Sequence, residues 1–436
     1  MLGWMITLRW RWRIVIALAA SVAVVLSWLL VPRRAQREQL LEAAWVEERS
    51  ADPRPSHVAG PLPGTFGELL EPHLAALDES KLAYQRWGPA ESDRVRRIYN
   101  GQDPISRLGA EASADLARHR AAMRGALRAT RAQSARAPAS LRLFGFFGPG
   151  EPFIDVQQAA KLAALDMLTL LDQGRADEAA EECVDALALG RDVSYPSVLG
   201  RMVGVAVTGI SAHACGRALS AASATVVERV RAQLFAIRGG TPRFADILRR
   251  EWLFQQLLFA HSDPRLPEGA RVFIADAQNQ SRTALDRLEP ALFSGTAFEG
   301  QAARMAVLLD AQQLDWSACA ERMEEVQRRL HWNPIIRKAS NFVSLLRRHR
   351  DGFLKLDALA CAASVVLERT RTGALPRDAA SACPPIEQHA KCAEQSAPMH
   401  ILESGGVPSV SVTLSDGSDY SVPLTRTPRG SAAVLR

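Results

Sequence analysis

Lysine is scarce in this sequence: five of its 53 basic residues, the remainder being arginine. Tyrosine (4), cysteine (6) and histidine (9) are also few for 436 residues. Six cysteines do not make a small disulfide-scaffold fold. Apolar residues at 47% and charges at 23% exclude a mainly disordered or collagen-like chain. Nucleophile and nucleotide signatures are missing as well. There is no Gly-x-Ser-x-Gly, no phosphate loop, no His-Glu-x-x-His and no Gly-x-Gly-x-x-Gly. No strand–helix alternation is legible, which argues against a Rossmann or barrel enzyme. Accordingly no residue is assigned to catalysis, to a cofactor or to a metal.

The formal charge of +6 invites a nucleic-acid reading. Residues 1–37 contain six arginines and no acid, which leaves 47 bases against 47 acids in residues 38–436. The excess therefore flanks one segment, and nucleic acid is not an expected partner.

That segment is Ile14 to Val31, 18 residues without a charge. As a helix it would span about 27 Å, close to the hydrocarbon thickness of a bilayer. Trp10, Trp12 and Trp28 lie near its ends, where indoles favour the headgroup level. The competing reading is a cleaved signal peptide, but Trp28-Leu29-Leu30-Val31-Pro32 offers no small-x-small cleavage site. Residues 1–37 are expected to anchor the chain in an inner membrane as a single pass. A short N-tail before a long C-terminal part predicts an exported, periplasmic domain. Met202 to Cys215, also apolar, is too short to span and reads as a buried core helix. Gly200 and Gly204 on it are spaced to let another helix approach.

The rest reads as mainly α. Residues 38–64 are expected to form a juxtamembrane helix and a linker, since Ala51 to Gly64 holds four prolines. Residues 65–376 form the helical domain. Thr65 and Glu68 fit a capping box that opens a helix to about Trp87. Asp103-Pro104 reads as the start of a second helix, running to about Arg136. Further helices are predicted near 155–173, 176–191, 197–221, 223–237, 242–261, 268–292, 298–312, 317–330 and 335–371. Residues 377–424 form a loop and a small antiparallel meander: Val410, Val412 and Leu414 share one face, and Tyr420, Val422 and Leu424 alternate again. Such a sheet needs a helix on its apolar face, and Leu354 to Leu367 is the expected one. Residues 425–436 read as a loose tail.

Residues 159–192 resemble a tetratricopeptide-type helical hairpin. Gly174 falls in the turn, Asp177-Glu178-Ala179 opens the second helix, and Ala186-Leu187 fall on its packing face. Ala163 and Met167 depart from the pattern, and no second copy follows at a 34-residue spacing. The resemblance implies an irregular α-α hairpin domain and carries over no ligand residues. The C-terminal order of helix, Gly-x-Leu-Pro and meander is similar to pilin-like heads, without their prepilin cleavage pattern. As a whole the chain resembles a membrane-anchored bacterial protein.

Three constellations stand out. Cys383 and Cys392 bracket a ten-residue loop and are read as a disulfide. His389 and His400 add an alternative zinc-type set, and two free thiols are a third reading. Cys183, Cys215, Cys319 and Cys361 read as small core hydrophobes. Arg120, Arg124 and Arg128 stack at i, i+4 with Arg131 beside them, a candidate patch for an anionic partner. The acids Asp177, Glu178, Glu181, Glu182 and Asp185 lie on a helix that either faces this patch or forms a complementary one; two solvated faces are the other reading. Glu324 and Glu325 precede Arg328 and Arg329 as surface pairs. Phe244, Trp252, Phe254 and Phe259 read as core or as an apolar groove. His261-Ser262-Asp263 reads as a helix end. The expectation is an anchored envelope protein that binds other envelope components, with an enzyme of dispersed site residues, such as a hydrolase, as the alternative.

Overall fold

The computed structural model describes residues 57–138, 152–194, 198–259, 305–329, 342–383, 391–404 and 407–424, with five positions before residue 50. The expected anchor, the juxtamembrane helix, the helix at 268–292, His261-Ser262-Asp263, His389 and the C-terminal tail lie outside them, Val22, Gln39, Glu42, Ala43 and Val46 apart.

The described chain is mostly helical. Strand β1 (Leu62–Thr65) leads into α1 (Phe66–Arg86). The capping box is formed: the Thr65 amide donates to Glu68 Oε2 at 2.8 Å and the Glu68 amide to Thr65 Oγ1 at 3.1 Å. β1 pairs in parallel with β2 (Ala132–Ser134), so the last residues of the expected linker belong to the domain. His57, 4% exposed, is buried against it as well.

A helix absent from the sequence reading, α2 (Pro89–Tyr99), starts at Pro89. Asp103 then caps nothing. Its carboxylate accepts from Arg97 Nε at 2.8 Å and Arg107 Nη1 at 2.7 Å, and the next long helix, α3 (Ala110–Ala129), begins only after Gly109. Two guanidiniums outcompete the backbone amides for that carboxylate.

Helices α4 (Pro152–Asp172), α5 (Ala176–Val193), α6 (Val198–Ala221) and α7 (Ala224–Gly240) follow within a few residues of the predicted bounds. Gly174 makes the α4–α5 turn with φ +73°, a left-handed conformation that favours glycine. Ala179, Ala186 and Leu187 are buried, and so are Ala163 and Met167. α6 covers the hairpin, packing on α5 and α4 on one side and on α10 (Phe342–Thr372) on the other. By length and composition α6 could cross a membrane; within this fold most of its apolar stretch is buried among these helices. Gly204 meets Gly190 of α5 where the two backbones touch, so its spacing was legible.

α8 (Phe244–Phe259), a helical stretch at 305–311, α9 (Trp316–Arg329) and the first part of α10 enclose a second core of Phe244, Leu248, Leu308, Met323 and Leu346. Phe244 is core, as its helical spacing suggested; the side chains of Phe254 and Phe259 lie outside the described residues. Glu324 accepts from Arg347 of α10 and Glu325 from Arg322; the side chain of Arg329, the expected partner of Glu325, lies outside the described residues. The short α11 (Ala379–Ala382) leads to β3 (Met399–Ser404), β4 (Val407–Thr413) and β5 (Asp419–Pro423), an antiparallel meander in that order. Val410, Val412, Val422 and Leu424 are buried against α10, the expected partner, and against α6. Ser220 Oγ on α6 donates to the Pro423 carbonyl at 2.7 Å and fixes the contact.

The cysteine expectations are corrected. Cys383 pairs with Cys361, and Cys392 with Cys319, rather than with each other. Cys183 pairs with Cys215, so none of the six is a free thiol. The loop between 383 and 392 is short, but each end faces a helical cysteine: Cα separations are 4.8 Å to Cys361 and 5.5 Å to Cys319. Both are within ordinary disulfide reach.

Candidate functional site

Helix α3 places Arg120, Arg124 and Arg128 on successive turns, and Arg131 follows its end. Opposite them lie Asp166 of α4 and Glu182 and Asp185 of α5. Arg120 Nε is 2.9 Å from Asp166 Oδ1. Arg124 reaches Asp166 Oδ2 at 2.8 Å and Glu182 Oε2 at 3.3 Å. Arg131 clasps Asp185 with Nε at 2.9 Å and Nη2 at 2.7 Å. The two charged helices therefore face each other. The arrangement is layered: side chains of Asp166, Glu182 and Asp185 are 1%, 8% and 7% exposed, while the three arginines keep 33–38%. Solvent meets guanidinium groups, and the carboxylates lie beneath.

Burial pushes the Glu182 carboxyl up to about 8, reinforced by the negative charge of Asp166 and opposed by Arg124. The buried site favours the protonated form of Glu182. Arg131 is shifted above its ordinary value, mainly by its hydrogen bonds to Asp185. Arg120, Arg124 and Arg131 thus stand over three carboxyl groups, Asp166, Glu182 and Asp185. Arg128, exposed, has no acidic partner among the described residues. The remaining predicted acids disperse: Asp177 accepts from Ser223, Glu178 from Arg175 and Glu181 from Arg229.

Beside this layer a groove of about 460 Å³ runs between α1 and α3. Leu62, Leu69, His73, Arg124, Gly125 and Arg128 line it. A Cβ on Gly125 would collide with the His73 ring, so the glycine is what lets α1 close on α3.

A second charged cluster is sealed. Arg201 Nε donates to His349 Nδ1 at 2.7 Å, and His349 Nε2 lies 3.1 Å from Glu394 Oε1. The same carboxylate accepts the Phe244 amide at 2.7 Å, at the start of α8. Gln395 does the same for α9 through the Trp316 amide at 2.7 Å. Arg238 donates to Asp357 at 2.5 Å, and Ser396 to the same carboxylate at 3.0 Å. Residues 391–396 thus form a strap that ends two helices and covers buried charges. Arg201, Arg238, His349 and Asp357 are each under a tenth exposed, which suits a structural role.

Among the described residues no group of three or more His, Cys, Asp or Glu could hold a metal ion. Asp166 is the participant that the sequence reading missed. Its signal was a lone acid in the apolar run of α4. No family model, no curated protein and no solved structure matches the chain.

Proposed function

We propose that the chain is a single-pass, membrane-anchored envelope protein whose exported helical domain binds other envelope components. The observation that carries this reading is the pairing of all six cysteines in three disulfides. Such bonds persist in oxidising compartments and are rare in the cytoplasm. The uncharged Ile14 to Val31 segment supplies the anchor. The layered arginine face supplies a binding surface, because its acids are withdrawn from contact. Protease treatment of spheroplasts tests the topology: digestion of residues past 57 is expected, and protection would place the domain in the cytoplasm. Cross-linking in membranes followed by purification tests binding. A specific adduct that disappears on Arg128→Glu is expected, and an unchanged adduct set would sink the role of this face.

A second reading, a hydrolase, draws on the Asp166–Glu182 pair. Two buried carboxyl groups side by side are a recurring acid–base arrangement. Both lie beneath Arg120 and Arg124, which favours the binding role. Turnover of an envelope substrate that is lost in Glu182→Gln, with the fold intact, would favour the enzyme.

A further inference from the structure

We propose that the groove between α1 and α3 docks the headgroup of an anionic phospholipid from the bilayer in which the chain is anchored. The inference rests on the anchored, exported reading above and names the component that is bound.

The charge of the groove selects an anion. Arg124 and Arg128 stand on one wall and the half-buried His73 on the other. The nearest carboxylates, Asp166 and Glu182, are under Arg124 and hidden from a ligand by it. A phosphate entering the groove meets donors without meeting an acid. A zwitterionic headgroup would bring its own ammonium against Arg128, whereas an anionic one brings no compensating cation.

The rest of the wall selects an amphiphile over a free anion. Leu62 is 41% exposed and Leu69 is half-buried, so an apolar edge lies next to the cationic one. A glycerol backbone and its first methylenes would cover that edge. Inorganic phosphate leaves it wet.

Position in the chain favours the bilayer as the source. Leu62 opens the first strand after the segment that leaves the anchor at Pro32. Thirty residues fully extended reach about 100 Å at most. One wall of the groove, Leu62, Leu69 and His73, therefore comes from the part of the domain nearest the membrane along the chain.

The test uses the full-length protein in nanodiscs with p-benzoylphenylalanine in place of the exposed Ala121, a groove residue. Discs of phosphatidylcholine alone are compared with discs that also contain phosphatidylglycerol. Irradiation should give a phosphatidylglycerol adduct by mass. Arg128→Glu should lower its yield about fivefold or more, the size expected for one basic residue at a membrane surface. Arg128 is exposed, so the variant should melt like its parent. Equal adducts with both lipids, no effect of Arg128→Glu, or full competition by inorganic phosphate would each overturn the proposal. Incorporation into discs is scored separately by flotation, so failure of the anchor is distinguished from failure of the groove.

Discussion

The Arg201 guanidinium donates through Nε to His349 Nδ1 at 2.7 Å, joining α6 to α10 across 148 residues. Because Nδ1 is an acceptor, the ring proton sits on Nε2 and points at Glu394. Burial, then the charge of Arg201, pushes His349 down to about 4 from an ordinary 6.5. Between those two pH values the unfolded chain binds a proton that the folded chain refuses. Stability therefore falls as pH falls through this window, by about 1.4 kcal/mol per unit. His349→Gln should be less stable than wild type at pH 7, with the difference shrinking as pH drops below 6.5. Urea titrations at several pH values read this directly, and parallel slopes would contradict it.

Glu182 predicts the opposite slope. Its carboxyl is raised from 4.5 to about 8, chiefly by burial. Between these values the folded state holds the extra proton, so stability falls as pH rises. Glu182→Gln removes that loss and keeps a neutral group of similar size. Relative to wild type the variant should gain up to a few kcal/mol between pH 5 and pH 8. Melting temperatures at the two pH values measure it. An unchanged difference would mean that Glu182 ionises in the folded state.

How much was legible depends on whether the signal was local. The Thr65–Glu68 box, the Gly174 turn and the Val410–Val412 alternation are local, and each appears where the sequence put it. Asp103 shows the limit: a good capping residue was taken by Arg97 and Arg107, a competition that no short window displays. The arginine face was visible as an i, i+4 series, and Glu182 and Asp185 as acids on a facing helix. Asp166 was not, because one acid within the apolar run Leu162 to Leu171 has no pattern until α3 packs on it. Cysteine pairing is the extreme case. Six cysteines allow fifteen connectivities, and proximity in sequence favoured Cys383 with Cys392 when helix packing decided otherwise.

The pairing itself is checkable by peptide mapping under non-reducing conditions. Linked peptides should join Cys183 to Cys215, Cys319 to Cys392 and Cys361 to Cys383. A Cys183→Ser, Cys215→Ser variant opens a closure over 32 residues between α5 and α6. Loss of roughly 3 kcal/mol is expected, largely through the unfolded chain. A Cys383–Cys392 peptide would restore the local reading and remove the strap's covalent tie to α9.

Gly204 should be the least tolerant glycine of the core. A Cβ there would run into the Gly190 carbonyl oxygen and Ser194 Oγ of the neighbouring helix. Neither can move cheaply: the first is backbone, and Ser194 Oγ already donates to the Gly190 carbonyl at 2.5 Å. Gly204→Ala must separate α5 from α6, and overpacking of this kind costs about 1–3 kcal/mol. The same contact holds Arg201 one turn earlier, so the His349 interaction should loosen with it. Gly239 is the control. It is exposed in the last turn of α7, and a Cβ there meets nothing within 4 Å. Gly239→Ala should stabilise by roughly 0.5–1 kcal/mol, since alanine loses less chain entropy in a helix. Denaturation of both variants side by side separates close packing from helix propensity: a shift of the same sign in the two would mean that α5 and α6 do not touch at Gly204.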